Sequence, residues 1–135
     1  WMQRLKDYAK QKIDNQETII FGGDYNIIPQ KEDAAHPSQW IKDALFLPES
    51  REAFRKIMAL GFTEAFRTMH AGPGHYSFWD YQAGAWQKDN GIRIDFFLIS
   101  PEIVDTLIDV GIDKRPRGQE KPSDHTPIWI EIENF

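Results

Sequence analysis

The sequence contains no cysteine, which excludes a disulfide framework and a thiolate metal site and fits a reducing compartment. No apolar run is long enough to span a bilayer, and no basic stretch followed by an apolar one opens the chain. The expectation is therefore a cytoplasmic protein without a membrane partner. Positive charge is in short supply: 16 Lys and Arg stand against 21 Asp and Glu, for a net charge of -5. That balance argues against bulk electrostatic attraction to nucleic acid, but not against a nuclease, whose metal site needs local carboxylates and few phosphate contacts. Also missing are a glycine-rich phosphate loop and a serine at a nucleophile elbow. His36, His70 and His75 show no metal-ligand spacing with one another and read as loop residues.

What is present suffices for one domain: 135 residues, with 9 Phe, 5 Trp and 4 Tyr to fill a core. Trp1 stands where translation would place Met, so the chain is expected to be a piece of a longer protein. Trp1, Met2, Leu5, Tyr8, Ala9 and Ile13 recur at helical spacing, predicting an amphipathic helix through about Lys12. Thr18–Phe21 reads as a strand apolar on both faces, ending at Gly22-Gly23. The stretch from Pro29 to Pro37 reads as a loop. Ser38 and Ser50 read as caps of two helices, the second carrying Ala53, Phe54, Ile57, Met58 and Leu60 and stopping at Gly61. Phe62–Arg67 reads as a connection.

Strands are then expected at Tyr76–Tyr81, Ile92–Ser100, Thr106–Ile112 and Thr126–Ile132, with a helical turn at Pro101–Asp105. The fold class is α+β, a mixed, mostly antiparallel sheet with helices on one face. Its other face requires a cover that the pattern does not supply, which predicts self-association.

Three stretches can carry chemistry. Asp24 lies at the carboxyl end of a strand, where open sheets place ligand sites, with Asn26 two residues on. An acid that accepts a proton from water beside an amide that orients it suits phosphodiester hydrolysis; the same residues also terminate strands without further role. Asp95 alternates with Arg93, Phe97 and Ile99, opposite a face of Ile92, Ile94, Phe96 and Leu98. A carboxylate in such company must be paired, either with Arg93 or with a histidine that it orients. His125, just before the last strand, is the histidine at hand, and Asp124 beside it can cap a turn or ligate a hard cation.

With these residues in view, the sequence resembles the exonuclease III family of DNA-repair nucleases, within the endonuclease/exonuclease/phosphatase superfamily. The resemblance rests on Gly22-Gly23-Asp24-Tyr25-Asn26-Ile27, Tyr76-Ser77-Phe78-Trp79-Asp80-Tyr81, Gly91-Ile92-Arg93-Ile94-Asp95 and Glu120-Lys121-Pro122-Ser123-Asp124-His125. It runs through all 135 residues and implies that they form the C-terminal half of an endonuclease/exonuclease/phosphatase domain, half of a DNase I-like four-layer α/β sandwich. It further implies a nuclease that depends on Mg2+ or Mn2+ and acts on double-stranded DNA at abasic sites and 3′ ends. Asp24 matches the acid that activates water and lies near the metal, Asn26 the residue that orients phosphate, Asp95 and His125 the catalytic acid–histidine pair, and Asp124 a metal-side acid. Phe78, Trp79, Ile92 and Ile94 match the substrate-binding stretches, Phe78 and the two isoleucines as the pocket for an abasic sugar; core packing is their other reading. The family's remaining metal ligands match nothing in this chain, so on its own it is expected to have little or no activity. Two further readings stand beside the nuclease: a non-catalytic module that binds a partner or itself, and a phosphatase of lipid or inositol phosphates.

Overall fold

The computed structural model describes residues 1–134. Helix α1 (Met2–Asp14) buries Ala9 completely and is followed by a turn in which Gln16 takes a positive φ of 57°. Strand β1 (Ile20–Asp24) starts later than the pattern predicts and runs on through both glycines. The cause is its partner. Strand β3 (Asp95–Ile99) pairs antiparallel with it, setting Ile20 opposite Ile99 and Asp24 opposite Asp95. Gly22 lies opposite Phe97, and a Cβ there would come within 2.7 Å of the phenyl ring. The glycine makes room for a cross-strand ring and does not stop the strand.

Alternation along β3 separates two cores. Phe96 and Leu98 face α1 and helix α2 (Pro48–Met58), packing with Ala9, Phe54 and Ile57. The Phe96 ring stacks on Tyr25 at 4.4 Å between centroids. Phe97 and Ile99 face the other way, towards a second sheet formed by β4 (Leu107–Ile112) and β5 (Ile128–Ile132). The three-stranded sheet is therefore covered on both faces by the chain itself, in the layer order helices, sheet, sheet. This corrects the expectation of a bare face. In β4 a register irregularity between Leu107 and Asp109 turns Ile108 out to solvent, while Val110 and Ile112 stay inside.

Other expectations shift locally. Ser50 is no cap: α2 starts at Pro48, a favoured first helical residue, and the Ser50 hydroxyl donates to the Ala44 carbonyl. Phe62–Arg67 is more than a connection, supplying β2 (Thr63–Glu64), which pairs with β3, and α3 (Ala65–Met69). The loop after Pro29 holds a 3-10 turn at Lys31–Asp33, and Ser38 lies inside another at Pro37–Trp40. Tyr76–Tyr81 is not a strand; Phe78 makes single bridges to Ile92 and to His125 instead. Pro101–Val104 is the expected helical turn, α4. No helix among the described residues is long and apolar enough to cross a membrane.

The sheet's entry is pinned by charge. Arg93 is 1% exposed and donates to both Asp33, at 2.8 Å, and Glu64, while Arg67 adds a second guanidinium to Asp33. The Glu64 and Asp33 carboxylates outweigh burial and hold the Arg93 guanidinium more firmly protonated than usual. A buried ion pair adds little net stability, but breaking one is costly, because a charge is left stranded. Asp33→Ala, which removes the carboxylate shared by Arg93 and Arg67 and leaves Arg93 with Glu64 alone, is expected to lower the free energy of unfolding by about 3 kcal/mol in chemical denaturation.

Candidate active site

Three carboxylate and imidazole groups meet where β1 ends and β3 begins. Asp24 and Asp95 face each other across the strand pair, and His125 enters from the segment before β5. The imidazole Nδ1 lies 2.8 Å from Asp95 Oδ2, and Nε2 lies 3.7 Å from Asp24 Oδ2. The histidine thus spans two acids that would otherwise repel. Asp95 is held by more than His125, since the Ser77 hydroxyl donates to the same Oδ2 at 2.8 Å. Burial pushes the Asp95 carboxyl above its ordinary range, against the opposing pull of the His125 and Ser77 hydrogen bonds. With Asp95 on Nδ1, the ring offers Nε2 to whatever occupies the open side.

Arg93 is not the partner of Asp95; its guanidinium is spent on Asp33 and Glu64. The pairing left open between Arg93 and a histidine falls to the histidine.

Asn26 does not continue an extended segment. It sits at a φ of 51°, and its backbone N–H donates to Asp24 Oδ1 at 2.8 Å, closing a turn of the kind Asp favours. Tyr25 between them is buried and anchored twice, its N–H on the Ile94 carbonyl and its hydroxyl on the Phe21 carbonyl. One oxygen of Asp24 is therefore occupied by the turn, and Oδ2 stays open beside His125, with both Asp24 and Asn26 exposed.

The residues matched to a substrate pocket divide. Phe78 is half-buried and meets the His125 ring edge-on at 5.1 Å. Trp79 is fully buried with its indole N–H on Asp89, and Ile92 and Ile94 are 0% and 2% exposed, packed against Ile28, Ala34 and Phe46. These three side chains are enclosed: Ile92 and Ile94 pack behind Phe78, and Trp79 packs with Tyr76 and Ala85. Ala34 lies alongside, bridging to Ile92 through the backbone.

Which groups suit a metal follows from their donors. The three groups lie within 4.8 Å of one another, but one of them is a nitrogen donor and Asp95 Oδ2 is already shared by two hydrogen bonds. Mg2+ and its like prefer oxygen alone. Asp24 Oδ2 fits such an ion, and Asp124, half-buried and outside the three-group cluster, could add a second carboxylate. Asp124 also fixes the fold locally, its carbonyl accepting the Trp79 N–H.

The sequence passed over Ser77 and Asp33. Ser77 sits in a quoted motif among aromatic residues, and the signal was a small hydroxyl where bulk was otherwise required. Asp33 lay in an aperiodic loop and carried no local signal.

Comparison with known proteins bears on the chain as a whole. Residues 1–125 match the Endonuclease/Exonuclease/phosphatase family. Exodeoxyribonuclease III of Haemophilus influenzae is 32% identical over 95% of the chain, and a Bacillus subtilis exodeoxyribonuclease is 33% identical over 98%. Each is covered to 51% of its own length, so the chain spans about half the length of these curated relatives. Among solved structures, an AP endonuclease from Archaeoglobus fulgidus superposes with a TM-score of 0.92 at 32% identity, covering 99% of this chain and 52% of that one. The 3′ phosphatase NExo from Neisseria, bound to a product DNA hairpin, superposes with a TM-score of 0.94 at 29% identity, covering 98% and 52%. A match of this extent, with Asp95, His125 and Asp24 gathered at one strand end, establishes that the chain belongs to the endonuclease/exonuclease/phosphatase family.

Proposed function

We propose that this chain is the C-terminal half of a metal-dependent nuclease domain that hydrolyses DNA phosphodiesters, at abasic sites and at 3′ ends, in the cytoplasm. The observation that carries this reading is the His125 ring held at 2.8 Å by Asp95, with its second nitrogen turned towards the open oxygen of Asp24. Asp24 takes a proton from water as the water oxygen bonds to phosphorus. The bond from phosphorus to the leaving sugar oxygen breaks, and that oxygen takes a proton from solvent to leave as a hydroxyl. His125, its Nδ1–H held by Asp95, takes a solvent proton on Nε2 as the anionic phosphate binds and donates it to a phosphoryl oxygen where negative charge grows. Asn26 is exposed on the same turn, where its amide can hold the phosphate. A divalent ion, Mg2+ or Mn2+, would sit at Asp24 and Asp124 and supply positive charge beside the phosphate, with its remaining ligands drawn from the rest of the domain, substrate and water. Phe78 beside His125 offers an apolar wall to the sugar. The nuclease names of the relatives support DNA as substrate over lipid or inositol phosphates.

Complementing the chain with the other half of the Haemophilus influenzae enzyme tests this reading. Cleavage of an abasic-site duplex is expected to require added Mg2+ or Mn2+ and to vanish with EDTA. Asp24→Ala or His125→Ala is expected to reduce kcat by about 100-fold or more. Retained cleavage in either variant removes the assignment.

Asp95 yields a second prediction, on stability. Its carboxyl titrates higher in the folded chain than in the unfolded one. Its contribution is therefore complete below the unfolded value and is lost as pH rises through the folded one. Asp95→Asn cannot ionise, and one amide oxygen can take both hydrogen bonds, because both fall on Oδ2. Denaturation at pH 7 is expected to find the variant no less stable than the parent, while cleavage by the complemented enzyme falls.

The self-association reading keeps one support. The sheet face is covered, but β1 is an outer strand of the order β1-β3-β2, with Trp1 beside it 64% exposed. An unpaired strand edge invites another strand. Concentration-dependent dimerisation in sedimentation is expected; a monomer at millimolar concentration removes this reading.

A further inference from the structure

Ser77 is fully buried and its hydroxyl is saturated. The oxygen accepts the backbone N–H groups of Ile94, at 3.0 Å, and Asp95, at 3.1 Å. With its acceptor sites taken, the hydroxyl rotor has one direction left for its proton, towards Asp95 Oδ2 at 2.8 Å. A hydroxyl that could rotate would be a weak guide. This one cannot.

The backbone around Ser77 has the same purpose. Its N–H donates to the Ile92 carbonyl and its own carbonyl accepts the Thr126 N–H, each at 2.9 Å. Trp79 N–H then reaches the Asp124 carbonyl at 2.9 Å. Residues 77–79 thus lie as a bracket between the segment leading to Asp95 and the segment carrying His125. Among the described residues no helix or sheet joins those two segments at this point.

We infer that Ser77 is a positioning residue: its fixed hydroxyl locks the Asp95 carboxylate so that Oδ2 faces His125 Nδ1, and this sets the tautomer and the direction of Nε2. Asp95 could rotate about its side-chain bonds if His125 alone held it. With Ser77 donating to the same oxygen and its own oxygen tied to the Asp95 N–H, the carboxylate is fixed from its own backbone. Ser77 touches no substrate and acts only through Asp95. The inference rests on reading Asp95 and His125 as the reacting pair. Its test needs neither DNA nor cleavage, so either reading can fail alone.

Nuclear magnetic resonance on the isotopically labelled chain reads the geometry directly. In the wild type, His125 is expected as the Nδ1–H tautomer with a downfield Nδ1–H proton. Ser77→Ala is expected to abolish that resonance or to mix the tautomers, and Ser77→Thr, which restores the hydroxyl, to return it. A merely structural serine would lower stability in Ser77→Ala and leave the His125 signature in place, which would overturn the proposal. Should Ser77→Ala fail to fold, the wild type decides. A slowly exchanging Ser77 hydroxyl proton close in space to His125 Nδ1–H is expected, and a freely exchanging hydroxyl overturns the assignment.

Discussion

Two carboxylates face each other where β1 meets β3, because the register that pairs Ile20 with Ile99 also sets Asp24 opposite Asp95. Like charges directly across an antiparallel pair repel. The fold cannot shift the register to escape, since a slip of one residue would exchange Phe96 and Leu98 with Phe97 and Ile99 between two separate cores. The repulsion is answered locally. His125 enters between the acids, Ser77 donates to one, and the Asn26 N–H donates to the other. The chemistry of the site is thus a consequence of how the sheet is packed on both sides.

That dependence explains the buried ions behind the site. Arg93 precedes Asp95 by two residues and is the nearest cation in sequence. It is drawn off by Asp33 and Glu64. Glu64 serves twice, also accepting the Arg67 N–H at the start of α3. Asp95 is left to the histidine because the stronger cation is already satisfied.

Much of this was legible in the sequence, for reasons that differ by residue. Asp24 stood out as an acid at the end of a β-rich run, Asp95 as an acid among the apolar residues of another, and His125 as the histidine just before a third. Phe96 and Leu98 followed from alternation. The extent of β1 did not, because a glycine pair reads as a stop unless the ring opposite Gly22 is known. Thr63–Glu64 and α3 escaped because elements that short carry no period and are made by their partners. Asp33 and Ser77 act over distances of 60 and 18 residues, in contacts no local window holds. The self-sufficiency of the sheet was also hidden, because the apolar pattern shows that a face needs cover but not which strands provide it.

The bracket at residues 77–79 also bears on the order in which the chain is made. Asp95 is synthesised and can be paired into the sheet with Asp24 while His125 is still thirty residues away along the chain. Until that segment docks on the Ser77 carbonyl, the sheet holds two facing acids with no imidazole between them. The segment that completes the site is therefore also the one that relieves the repulsion between Asp24 and Asp95. Truncation just short of His125 would remove β5 together with the histidine, so β4 would lose its partner in the same step that the site loses its imidazole.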